Sequence, residues 1–193
     1  MDVRVARTRD SIINAFLELR AKKPIEKITV KELCEKAGIN KSTFYSHFQD
    51  IYALSEYLEE KVAGEVLSQV EHPETLLTEP DVFVREVFYA YMAQGSLIRI
   101  LFSGRRYNQL LVRIDQSIKE LLFELRPEYR DNVKVNILCT MTICGNFYTF
   151  EKCRHFGEEK VIEIVIAMSR KWIELLPEME EETSAGNSEN SDI

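Results

Sequence analysis

Lys41, Ser42, Thr43, Tyr45 and His47 fall within seven residues of a 193-residue chain. Ammonium, hydroxyl, phenol and imidazole groups are the donors that meet phosphate oxygens and base edges. Between them stand Phe44 and Phe48, four apart and therefore on one helical face, so the rings can anchor a short helix while the polar set occupies its flanks and N-terminal end. The chemistry offered is recognition of a nucleic acid rather than bond breaking. No Gly-rich phosphate loop, H-E-x-x-H or G-x-S-x-G run occurs, and His47, His72 and His155 lie far apart. No catalytic residue, metal ligand or cofactor is expected, and the chain is not expected to be an enzyme.

The elements that must position the donors can be read from their caps. Thr29 followed by Glu32 is a capping box, with Ile28 and Leu33 as the accompanying hydrophobic staple. Val30, Leu33, Cys34 and Ala37 recur at i, i+3, i+4 and i+7, one apolar face over about two turns. Gly38 then stands where a left-handed residue ends a helix. Asn40 caps a second helix, with Ile39 and Phe44 at the staple positions, so the chain re-enters helix within about three residues. That is helix-turn-helix spacing.

The run Thr29-Val30-Lys31-Glu32-Leu33, followed by Ala37-Gly38-Ile39-Asn40-Lys41-Ser42-Thr43-Phe44-Tyr45-Ser46-His47-Phe48, is similar to the N-terminal signature of the TetR/AcrR family of bacterial transcriptional regulators. The resemblance covers about a quarter of the chain. It implies that Thr29, Lys31, Lys41, Ser42, Thr43, Tyr45 and His47 are at DNA-contacting positions. It also implies a homodimer on a palindromic operator, most often a repressor released by a small molecule. The family usually has a phosphate-binding lysine three residues after the Phe; here that position is Ile51.

Composition agrees with a regulator built of helices. The net charge of −7 divides unevenly: residues 1 to 50 hold 10 basic against 7 acidic side chains, and residues 51 to 193 hold 15 against 25. A basic head on an acidic body focuses attraction to DNA at one end. Only 7 glycines and 5 prolines occur, mostly between periodic apolar stretches, which predicts an all-α fold of about nine helices. No segment approaches the ~18 consecutive apolar residues of a membrane span and the N-terminus lacks a secretory pattern, so a cytoplasmic protein is expected. Cys34, Cys139, Cys144 and Cys153 lack C-x-x-C spacing and are expected to be buried free thiols.

Three regions are expected: a DNA-binding head at 1–48, a ligand-binding and dimerisation body at 49–177 and an acidic disordered tail at 178–193. Arg4, Arg7 and Arg9 lie on an N-terminal arm, which can touch phosphates or a minor groove or fray in solvent, ahead of a helix to about Lys22. Asp50 caps a long helix to about Val70 that links head to body. Further helices are predicted over Asp81 to Gln94, Ser96 to Phe102, closed by Gly104, and Tyr107 to Leu125. Aromatic side chains concentrate there, and Phe88, Tyr91, Phe102 and Tyr107 are the candidates for lining a pocket for a small hydrophobic effector, set against the plainer reading that they fill the core. The last two helices, Glu128 to about His155 and Glu158 to Leu176, are apolar on more than one face, as expected of helices that also pair with a second copy. Two other functions remain open: an activator or coactivator controlled by a protein partner, and a ligand-binding protein that has lost DNA binding.

Overall fold

A computed structural model describes residues 3–103 and 106–174. Gly104 and the tail at 178–193 lie outside the described residues. Among those described there are ten α-helices and no strand. They are α1 Val3–Arg20, α2 Val30–Ala37, α3 Lys41–Tyr45, α4 Ile51–Ser68, α5 Thr75–Thr78, α6 Pro80–Ala93, α7 Gly95–Leu101, α8 Tyr107–Leu125, α9 Val133–Cys153 and α10 Glu158–Ile173. Single 3-10 turns stand at Ile25–Lys27, Pro127–Tyr129 and Arg154–Phe156. The helix beyond the nine expected is α5, a four-residue turn too short for periodicity to reveal. None of the helices among the described residues is long and apolar enough to cross a membrane.

The N-terminal arm is a helix. Arg4, Arg7 and Arg9 all belong to α1, where the Thr8 and Ser11 hydroxyls donate to the carbonyls of Arg4 and Arg7 at 2.9 and 3.0 Å. No proline or glycine precedes residue 24 to interrupt it. The Arg9 guanidinium lies 4.2 Å from the Tyr57 ring centre and 5.7 Å from that of Phe48, a cation–π clamp that commits this residue to packing.

The chain divides into two compact units, the first made of residues up to 63 with 94–108, the second of 64–93 with those from 109 onward. In the first, α1 packs on α2 and α7, and α2 on α3. Ile12, Phe16, Leu33, Phe44 and Leu54 are wholly buried at its centre. The buried Arg20 fastens α7 from α1, donating to Ser103 Oγ at 2.9 Å and to the Leu101 carbonyl at 3.5 Å. Arg106 pairs at 2.7 Å with the buried carboxylate of Glu59, which also accepts from Ser55 Oγ at 2.6 Å. Burial, with Arg106 adding to it, holds the Arg20 guanidinium below its ordinary pKa.

In the second unit, α6 and α9 pack on α10, and α5 on α6. Phe88 stacks at 5.1 Å on Phe147 and 5.0 Å on Phe150, and Tyr91 lies 5.1 Å from Phe147. The Arg85–Glu159 and Arg170–Asp81 pairs tie α6 to α10. Each of the last two helices buries one face and leaves another open: on α9 Val135, Leu138, Ile143, Phe147 and Phe150 are inside, while Val133, Ile137, Met141 and Tyr148 are between 53% and 70% exposed. On α10 Val161, Ile162, Val165 and Ile166 are inside, with Ile164 and Met168 each 57% exposed.

The four cysteines are free, but only Cys34 is buried; Cys139, Cys144 and Cys153 are half-buried. They lie on α9, whose two apolar faces leave intermediate positions at their edges.

Gly38 ends α2 at φ 67° and ψ 33°, a conformation that costs an L-residue roughly 1–2 kcal/mol. Gly64 lies within α4 with nothing within 4 Å of an added Cβ. Urea denaturation should therefore show Gly38→Ala destabilising by about 1–2 kcal/mol and Gly64→Ala stabilising by about 0.5–1 kcal/mol. The opposite signs separate backbone strain from helix propensity.

Candidate nucleic-acid interface

The interface is built from two caps. Thr29 is extended, at φ −109° and ψ 148°, and its hydroxyl oxygen accepts from the Glu32 amide at 3.2 Å, satisfying one of the orphan donors that open α2. The second half of the capping box is diverted: the Glu32 carboxylate pairs with Lys23 across the turn that follows α1. Lys31, in the first turn of α2, has a side chain 74% exposed and touches Glu35 only at 3.8 Å. An exposed pair of that kind is worth little and is readily exchanged for a phosphate.

Asn40 opens α3, and one of its atoms organises the helix. Asn40 Oδ1 accepts from the Thr43 amide at 2.8 Å, from Ser42 Oγ at 2.8 Å and from Thr43 Oγ1 at 2.9 Å. The sequence shows the cap but not the hydroxyl clamp. With their hydrogens turned to Asn40, Ser42 and Thr43 have lone pairs left to accept; donating to a phosphate requires either hydroxyl to give up its own bond to Asn40 Oδ1, while the amide cap from Thr43 stays in place. Lys41 is exposed at the helix start.

Phe44 is wholly buried and Phe48 nearly so, their rings 6.2 Å apart, which pins α3 by its inner face. Tyr45 consequently faces out, 55% exposed, its ring edge-on to Phe44 at 5.5 Å. His47 follows α3, half-buried beside Phe48. The seven positions singled out in the sequence thus lie at the start of α2, along α3 and just after it. Thr29, Lys31, Lys41, Ser42 and Tyr45 are exposed, and Thr43 and His47 are half-buried.

At the start of α4 the Asp50 carboxylate accepts from the Ala53 amide at 2.8 Å. Ile51 is 5% exposed and belongs to the core, whereas Tyr52 beside it is 47% exposed. Tyr52 is thus an exposed phenol at the start of α4 that the sequence pattern did not single out, although a cap at Asp50 with Ile51 inward turns the next residue outward.

The second unit holds a partly open apolar cavity of about 90 Å³. Leu76, Leu77, Phe83, Val84, Val87 and Phe88 line one side, and residues of α8 and α9 with Ser169 line the other. Of the four aromatic residues expected at a pocket, Phe88 lines this cavity. Tyr91 is buried against Phe147 with its hydroxyl donating to Glu151 at 2.9 Å, and Phe102 is buried in the first unit, where the start of α8 at Tyr107 also lies. Ring count along the sequence does not distinguish a residue facing a void from one filling it. Among the described residues no group of three or more His, Cys, Asp or Glu is placed to hold a metal ion.

Loss of the Tyr45 hydroxyl, in Tyr45→Phe, should weaken binding to all DNA sites alike by about 1 kcal/mol, roughly fivefold. Lys41→Ala should change the ranking of sites instead. Fluorescence anisotropy with a site and its single-base variants checks both; an unchanged affinity in a folded Tyr45→Phe protein removes the phosphate role from that residue.

The sequence model of "Bacterial regulatory proteins, tetR family" matches residues 12–58, which span α1 to the first turns of α4. Two curated relatives are uncharacterised HTH-type transcriptional regulators of Bacillus subtilis (strain 168). YvdT is 24% identical over 124 residues, 62% of this chain and 60% of that protein; YxbF is 29% identical over 84 residues, 43% of this chain and 21% of that protein. The chain thus matches less than two thirds of the length of either. Among solved structures, the fatty acid degradation regulator FadR from Bacillus halodurans aligns over 90% of this chain and 93% of its own, with TM-score 0.43 and 18% identity. The match to the tetR family of bacterial regulatory proteins thus lies in the helix-turn-helix region of this chain, residues 12–58.

Proposed function

We propose that this chain is a homodimeric transcriptional repressor that binds a palindromic operator through α2 and α3 and is released when a small molecule enters the cavity of its second unit. The observation that carries the DNA-binding reading is α3 itself: five residues, pinned by buried Phe44 and opened by Asn40, with Lys41 and Tyr45 exposed. A helix so short has no stability of its own and no evident use except to display its outer face.

Dimerisation is supported by the open apolar stripe of α9 and α10. Val133, Ile137, Met141 and Tyr148 succeed one another at helical spacing, and Ile164 and Met168 lie four apart on α10. Contiguous exposed apolar surface of this kind marks an interaction site. Gly145 sits on the same stripe with nothing within 4 Å of an added Cβ in its own chain, leaving room for a second backbone. Two-fold pairing would set two copies of α3 on successive major grooves, about 34 Å apart or a multiple of it.

Selection of bound fragments from genomic DNA tests the reading as a whole. It should return inverted repeats with half-sites about one helical turn apart; recovery of none overturns the assignment. For the dimer, Ile137→Asp or Ile164→Asp should yield folded monomers by sedimentation, with operator affinity reduced at least ~100-fold because one half-site's contacts are lost. Val165→Asp should instead unfold the chain, since Val165 is 4% exposed and in the core.

A further inference from the structure

We infer that the cavity of the second unit takes a small neutral apolar molecule, a single ring or a chain of similar width, and rejects carboxylates and ammonium ions of the same size. The inference rests on the effector reading above and specifies its ligand.

Size comes first. The interior of about 90 Å³ is smaller than the ~150 Å³ apolar cavity that takes up benzene. A single ring or a chain of similar width therefore seats only partly inside, with the remainder of the occupant lying in the open side.

Charge decides the class. Lys119 is the one Lys, Arg, Asp or Glu among the lining residues, and its ammonium is already neutralised. It pairs with Asp115 Oδ2 at 3.2 Å and donates to Thr140 Oγ1 at 2.5 Å, both charged side chains being about 15% exposed. A ligand carboxylate drawn to Lys119 would have to share that ammonium with Asp115, setting two little-exposed anions against one cation, an arrangement proteins do not tolerate cheaply. The Oδ1 atom of Asp115 is buried without a partner, but Asp115 does not line the cavity, so a ligand ammonium would have to leave water in an apolar interior with Lys119 as its nearest charged neighbour in the wall. Arg85 is engaged by Glu159 and does not line the cavity; nor do Arg99 and Arg113. The thiol of Cys139, pushed up by burial to about 11, is neutral at pH 7 and supplies no charge either.

The remaining polar groups close on one another. The Asn146 amide donates to Ser169 Oγ at 2.8 Å, and Ser169 Oγ donates to the Val165 carbonyl at 2.9 Å. Thr142 Oγ1 is buried without a partner, so the wall can satisfy about one hydrogen-bonding group on the occupant and no more.

Toluene, benzoate and benzylamine share one ring and differ in charge at pH 7, which makes them the probes. Thermal unfolding and operator anisotropy are measured with each on the full chain. Toluene at about ten times its dissociation constant should raise Tm by roughly 3–6 °C, with no shift from benzoate or benzylamine at equal concentration. Cys139→Phe, and the milder Val84→Met, should abolish the toluene shift by filling the space. Absence of a toluene shift, or a shift unchanged in both folded variants, overturns the inference. A benzoate shift lost in Lys119→Met overturns it in favour of an anion site. A toluene shift without loss of operator affinity leaves the ligand class standing and removes the switch; loss of affinity by roughly 5- to 150-fold supports both.

Discussion

A five-residue helix cannot hold itself together in water, and the proposed DNA-binding surface hangs on the two interactions that hold this one. The first is burial of Phe44, which fixes the roll of α3 about its axis. The second is the carboxamide oxygen of Asn40, which takes three hydrogen bonds and so fixes the axis start and the two hydroxyls beside it. Everything exposed on α3 follows by elimination: once Phe44 is inward, Tyr45 turns out, and once Asn40 caps, Lys41 leads. Gly38 supplies the remaining condition, a left-handed residue that lets α2 stop and α3 begin within three positions.

The second unit obeys a different constraint, an excess of apolar surface over what one chain can cover. The α9 helix carries Leu138, Ile143 and Phe147 inward, yet Ile137, Met141 and Tyr148 remain in solvent. Most amphipathic helices match one apolar face to one core; α8 does so, with Leu110, Ile114, Ile118 and Leu122 buried. An open second face of this kind is what the proposed pairing with a second copy would bury, with apolar surface supplied from both sides.

Local rules made the head legible from its sequence: the caps at Thr29, Asn40 and Asp50, the glycine stop and the paired Phe44 and Phe48 each act on a partner no more than four residues away. What depended on distant partners did not show. Glu32 satisfies the capping-box pattern but turns to Lys23, nine residues earlier, because a nearby ammonium outcompetes a backbone amide for a carboxylate. Arg9 looked like part of a basic arm, and the rings of Phe48 and Tyr57 that hold it on α1 lie some forty residues away. The segment around α7 joins the first compact unit through Arg20 and Arg106, contacts with no periodic signature. For the same reason the aromatic stretch disclosed where rings are abundant, and only the packing separated Phe88 at a void from Tyr91 and Phe102 in filled core.

The two proposed roles of the second unit meet on one helix. Cys139, Thr142 and Asn146 of α9 line the cavity, while Ile137, Met141 and Tyr148 stand on its outer stripe. Positions 139 and 141, two residues apart, point roughly 200° from one another on an α-helix, so the cavity wall and the proposed seam are opposite faces of a single rod. Close-packed helices shift as bodies rather than deform continuously. An occupant that pushes the Cys139 face must therefore move the Met141 face too, and in a two-fold dimer the displacement is applied from both sides. A ligand needs no contact with the head to alter the spacing of two copies of α3; it needs only to bind one arrangement of α9 better than the other.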